Sequence, residues 1–101
     1  MIKSQNLKQG DKVYYFHRED PSCWTSSKNH RRVIKYTVNS WSENFDPVFG
    51  RCYGVIESGK SEPVFIHDRF FENYCCGTPS CFLSREAAVQ AVLEAGYEID
   101  E

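Results

Sequence analysis

Residues 73–82 read NYCCGTPSCF and place Cys75, Cys76 and Cys81 within seven positions. Three chemistries could use such a cluster: structural zinc, a disulfide staple, or a reactive thiolate. Structural zinc takes four soft ligands, usually as two short knuckles. Cys76 and Cys81, with four residues between them that include Gly77 and Pro79, make one wide knuckle. The second pair would come from Cys23 with His30 or His17, or from Cys52 or His67, and none of these forms a second knuckle. Adjacent cysteines point apart in extended chain, so Cys75 and Cys76 would not both ligate. The set Cys23, Cys76, Cys81 and His30 is therefore kept as an alternative, and the expectation is no metal and no cofactor. Five is an odd number of cysteines, and the start, MIKSQNLKQGDK, has no apolar signal region. The expected compartment is the cytoplasm, where thiols stay reduced, and a disulfide framework is disfavoured. A reactive thiol needs a lowered pKa, and Cys81 stands three residues before Ser84, a natural helix start. No motif around it supplies a base, an orienting group or an oxyanion site, so the chain is expected not to be an enzyme.

A second constellation is basic and aromatic. Lys28–Lys35, KNHRRVIK, lies between Trp24 and Trp41, with Tyr36 beside it. Cations bind phosphates and aromatic faces stack on bases, so Arg31, Arg32, Lys35 and Tyr36 could bind nucleic acid. The overall charge of −2 lacks the basic footprint that nucleic-acid readers usually carry. The loops PSCWT and SWSENFD hold both tryptophans and Phe45. An indole in a polar loop either folds back onto the core or serves as an interaction hot spot. If Trp24 and Trp41 share one exposed side, that side is the candidate binding surface. In His67-Asp68-Arg69, strand alternation puts Asp68 opposite its neighbours, so surface ion pairs are the expected role.

These residues need elements to hold them. Lys12–Arg18 is aromatic on both faces and reads as a strand that is either central or covered on both sides. Arg32–Ser40 alternates, with Ile34, Tyr36 and Val38 on one side, as a half-buried antiparallel strand does. Val48–Glu57 and Pro63–Phe71 read as a hairpin about Ser58-Gly59-Lys60. Leu83–Gly96 switches to helical spacing, with Ser84 as N-cap and Gly96 as its end, and the tail YEIDE reads as frayed. The fold expected is α+β: a small, bent antiparallel sheet of four to five strands with one C-terminal helix. It forms one domain over residues 1–101. No stretch approaches the ~20 apolar residues of a membrane span. Charge is uneven: residues 1–40 carry a balance of +5 and residues 41–101 a balance of −7. This yields either two oppositely charged faces or, if the halves interleave in one sheet, none.

The order GDKVYY, two or three bent strands with a Gly-containing hairpin, then CFLSREAAVQAVLEAG resembles short bacteriophage and mobile-element proteins. These share a curled, SH3-like sheet closed by a helix that a Phe-x-Ser-x-Glu-Ala segment introduces. Phe82, Ser84, Glu86 and Ala87 fit that segment. The resemblance implies a small binding protein that touches host or viral machinery, and it transfers no catalytic residue. The expectation is thus a cytoplasmic protein-binding module, monomer or homodimer, acting by occlusion or tethering. Its partner-binding residues would be Trp24, Arg31, Arg32, Lys35, Tyr36 and Trp41. The alternatives are nucleic-acid binding and a zinc-stabilised domain.

Overall fold

The computed structural model describes residues 6–16, 30–44, 46–72 and 79–99. Seven strands and one helix run in the order β1 (Lys12–Tyr15), β2 (His30–Arg31), β3 (Ile34–Trp41), β4 (Cys52–Glu57), β5 (Pro63–His67), β6 (Cys81–Phe82), α1 (Arg85–Glu94) and β7 (Glu98–Ile99). Five of them form one antiparallel sheet in the order β5-β4-β3-β1-β6, curled into a half-barrel. The fold is α+β, and the curled half-barrel is SH3-like in outline. Strands of the basic half, β1 and β3, lie between β4 and β6 of the acidic half, so the two charge balances interleave.

Alternation decides what each face does. Val13, Tyr36, Val38, Tyr53, Val55 and Ile66 are buried on the inner face and, with Leu7 and Cys81, make the main core. In β3 the expected alternation holds through Val38, then a register shift between Val38 and Ser40 re-aims the strand end. Cys81 lies opposite Tyr15 and Phe82 opposite Tyr14. Opposite residues share a face, so Cys81 enters the core while Phe82 joins the outer face. There it stacks on buried Phe16, ring centroids 6.0 Å apart. Helix α1 contacts β1 and β6 and buries Ala88 and Val92, one turn apart. The helix therefore covers the outer face only at the β1–β6 side. Its apolar stripe is narrower than the spacing predicts, because Leu93 and Ala95 stay exposed. Ser84 Oγ accepts the Ala87 N–H at 3.1 Å, as an N-cap does. At the other end the Gly96 N–H donates to Leu93 O and the Tyr97 N–H to Val92 O, both at 3.1 Å.

Several expectations need correction. Val48–Glu57 is a strand only from Cys52, because Asp46–Gly50 closes into a turn. Asp46 Oδ1 accepts the Val48 and Phe49 N–H groups at 2.7 and 2.9 Å, and Gly50 takes a positive φ of 80°. Pro63–Phe71 leaves the sheet at His67 and winds into a 3-10 turn, Asp68–Phe71. The tail is not frayed at its start: Glu98 and Ile99 pair in parallel with His30 and Arg31.

Candidate functional site

Of the six expected partner-binding residues, the five described do not share one exposed surface. Arg31 is buried; its guanidinium lies 4.0 Å over the Tyr97 ring and donates to His30 O at 2.9 Å. Tyr36 is buried in the main core beside Tyr15, and desolvation, with Glu57 next in weight, holds its hydroxyl pKa above the usual value. A ring so placed offers no face for stacking on a base. Both assignments as surface anchors are corrected by this packing. Arg32 and Lys35 are exposed. Trp41 is 38% exposed at the far end of β3. It stands six positions from Lys35, roughly 20 Å along an extended strand. Trp24 lies outside the described residues, so whether the indoles share a side falls outside them too.

The thiols divide in the same way. Cys23, Cys75 and Cys76 lie outside the described residues. Cys81 is buried and burial pushes its pKa far up, the opposite of an activated thiolate. Cys52 is half-buried and shifted in the same direction by the same cause. His30, the histidine of the zinc alternative, holds Glu98 at 3.2 Å on the surface. Among the described residues no group of three or more metal-ligating side chains converges.

Asp68, expected at the surface, is fully buried at the start of the 3-10 turn. One carboxylate oxygen accepts the Arg51 N–H at 2.8 Å and the other accepts the Tyr53 hydroxyl at 3.1 Å. This bracket fixes the start of β4 to the end of β5. Beside it, the His67 ring lies between Phe49 at 4.8 Å and Phe70 at 4.5 Å. Desolvation, then the Arg69 charge, lowers the His67 pKa, and the Asp68 and Asp46 carboxylates offset that in part. The ring belongs to an aromatic stack.

What the fold concentrates is apolar surface. Trp41, Val48 and Phe49 are exposed where β3 passes to β4, and Val64 and Phe65 are exposed on β5, the last strand of the sheet. Phe65, at 67%, is the most exposed of them, and it lies across Gly54. A Cβ on Gly54 would stand 3.5 Å from its ring. Only Trp41 of these five was singled out from sequence. The signal was there in PVFIH, apolar on both alternating faces, which an edge strand with one solvated face does not need. Elsewhere, a groove of about 670 Å³ runs between β1 and the start of α1, lined by Leu7, Tyr14 and Leu83 with Asp11 and Lys12. Lys12 donates to Thr37 at 2.8 Å and Asp11 accepts the Lys8 N–H at 2.8 Å, so its mixed charges are internally engaged.

Among the described residues no helix is long and apolar enough to cross a membrane. Comparison with protein-family models, with curated proteins and with solved structures gave no match.

Proposed function

We propose that the chain is a small non-enzymatic protein-binding module of the cytoplasm that acts by occluding or tethering a macromolecular partner. The observation that carries this reading is the concentration of exposed Trp41, Val48 and Phe49 at one end of the half-barrel. Singly exposed apolar residues are ordinary, whereas a group of aromatic and aliphatic side chains on one rigid end is what interfaces use. A phage or mobile-element setting, with host machinery as the partner, rests on the sequence resemblance alone. Arg32 and Lys35 stay exposed at the other end of β3 and give nucleic acid as the competing reading, although Tyr36 and Arg31 no longer serve it.

The test compares partner capture by three folded proteins: the parent, Trp41→Ser with Phe49→Ser, and Arg32→Glu with Lys35→Glu. Loss of a captured protein only in the aromatic double variant supports the reading. Loss only in the charge-reversed variant, together with salt-sensitive retardation of a nucleic-acid probe, replaces it with nucleic-acid binding. Capture unchanged by the aromatic double variant sinks it.

A further inference from the structure

β5 is the last strand of its sheet, and the ladder shows which of its backbone groups face the open edge. In an antiparallel ladder, residues alternate between bonding inward to the neighbour and outward to the open edge. The Asp68 N–H donates to Arg51 O at 3.0 Å, which marks that pair as inward-bonding. The Cys52 carbonyl meanwhile accepts the Ser42 N–H at 2.8 Å, on the side of β3. Along the register Cys52↔His67 to Ile56↔Pro63, Ile66 and Val64 therefore bond inward, to Tyr53 and Val55. Pro63, Phe65 and His67 direct their backbone groups outward. The Phe65 N–H and C=O both face the open edge, and among the described residues no strand lies beyond β5. Natural edge strands that are apolar and exposed invite pairing unless charge, proline or a cover blunts them, and in β5 the one proline stands at the first position. β5 carries Val64 and Phe65, exposed at 45% and 67%, with no charged residue between Pro63 and His67.

We propose that two copies of this chain pair antiparallel through β5, about a two-fold axis at Phe65. Three observations select a second copy over a foreign strand. First, Phe65 supplies a donor and an acceptor to the same edge, so the axis lets the two Phe65 residues exchange both hydrogen bonds. Second, this register opposes Val64 to Ile66 and Pro63 to His67, so inner-face residues meet inner-face residues. It uses all of Pro63–His67; Pro63, lacking an N–H, accepts from the His67 N–H of the other copy and so forms one bond where another residue would form two. Third, Glu62 precedes the strand and Arg69 follows it, while Asp68 between them is buried. Antiparallel association brings the acidic end of each copy to the basic end of the other; parallel association would oppose like charges. The two sheets join into one, and the two Phe65 rings meet on the outer face. The proposal is argued separately from the protein-binding reading: Trp41 and Val48 lie where β3 passes to β4, and Phe49 meets β5 at the His67 ring, away from the axis at Phe65.

Sedimentation equilibrium of the full chain in reductant, over a wide concentration range, tests it. The expected result is a reversible dimer. Phe65→Lys opposes two ammonium groups at the axis and removes the aromatic pair, so dimerisation weakens at least about tenfold. Leu93→Lys, a charge added to exposed helix surface, leaves it unchanged. Hydrogen exchange of the unaltered protein provides a reading that needs no variant: the Phe65 amide is protected at high concentration and exchanges freely at low concentration. A protein monomeric throughout overturns the proposal. So does a dimer indifferent to Phe65→Lys, or a Phe65 amide unprotected in the dimer. A Phe65 amide protected only when a captured partner is present also overturns it and assigns the edge to a foreign strand.

Discussion

His67 illustrates how one side chain can be chemically suggestive and structurally committed. Its ring lies between Phe49 and Phe70, and desolvation, with Arg69 next, favours the neutral form. The folded-state pKa is therefore below the 6.5 expected of the unfolded chain. At pH values above 6.5 both states hold the ring neutral and its contribution to stability is complete. As pH falls below that value the unfolded chain binds the proton first, so acid favours unfolding and the contribution is lost down to the folded pKa. The expected outcome is a lower Tm at pH 5.5 than at pH 7.5, with the difference reduced in His67→Gln, which cannot take up that proton. Equal pH sensitivity in the two proteins would show that the ring is as solvated in the fold as in the unfolded chain. Asp68, one residue on, has the opposite character: a buried acceptor whose partners are the Arg51 N–H and the Tyr53 hydroxyl. A buried carboxylate is tolerable when such donors replace water.

The elements show where sequence is readable. The alternation Ile34, Tyr36, Val38 fixes a strand because a period of two allows one face to be apolar. Ser84 announces α1 because its oxygen satisfies an N–H that the helix cannot. Two-residue strands carry no period, so no pattern in the sequence marks β2, β6 or β7. The break at His67 is equally hidden, since in PVFIHDRFF the apolar residues resume after HDR, as they would in a strand that ran on. That turn depends on a neighbour: the Asp68 side chain fills the space beside Gly50, where any Cβ would overlap it. Gly50 and Gly59 have nearly the same positive φ, 80° and 87°, but nothing lies within 4 Å of a Cβ built on Gly59. Gly59→Ala should cost about 1 kcal/mol, the strain of a left-handed residue alone. Gly50→Ala should cost at least about 2 kcal/mol more, because Asp68 must move from its two donors. Urea midpoints of the two variants measure the difference; equal losses would mean that the Asp68 bracket yields freely.

At the scale of the molecule, the uneven charge of the chain is consumed in closing the fold. β2 belongs to the basic half and β7 to the acidic tail, and their parallel pairing sets His30 against Glu98 and Arg31 against Ile99. The exposed His30–Glu98 contact adds little, since solvent screens it. Arg31 matters more: its guanidinium is buried over Tyr97, the first residue past Gly96. Composition pointed to Arg31 as a binding cation because its aromatic partner lies 66 positions later in the chain, beyond any local pattern. The pair also bridges the segment before β3 to the helix end, where the Tyr97 N–H caps Val92. Arg31→Ala and Tyr97→Ala should each lower stability by about 1–2 kcal/mol, and the double variant by less than their sum, with a coupling of about 0.5–1 kcal/mol. Arg31→Lys should recover only part, because an ammonium does not stack as the planar guanidinium does. Denaturant unfolding of the four proteins measures the cycle. Additive losses would place the Arg31 contribution in its other contacts, and the two-stranded closure would then rest on backbone pairing alone.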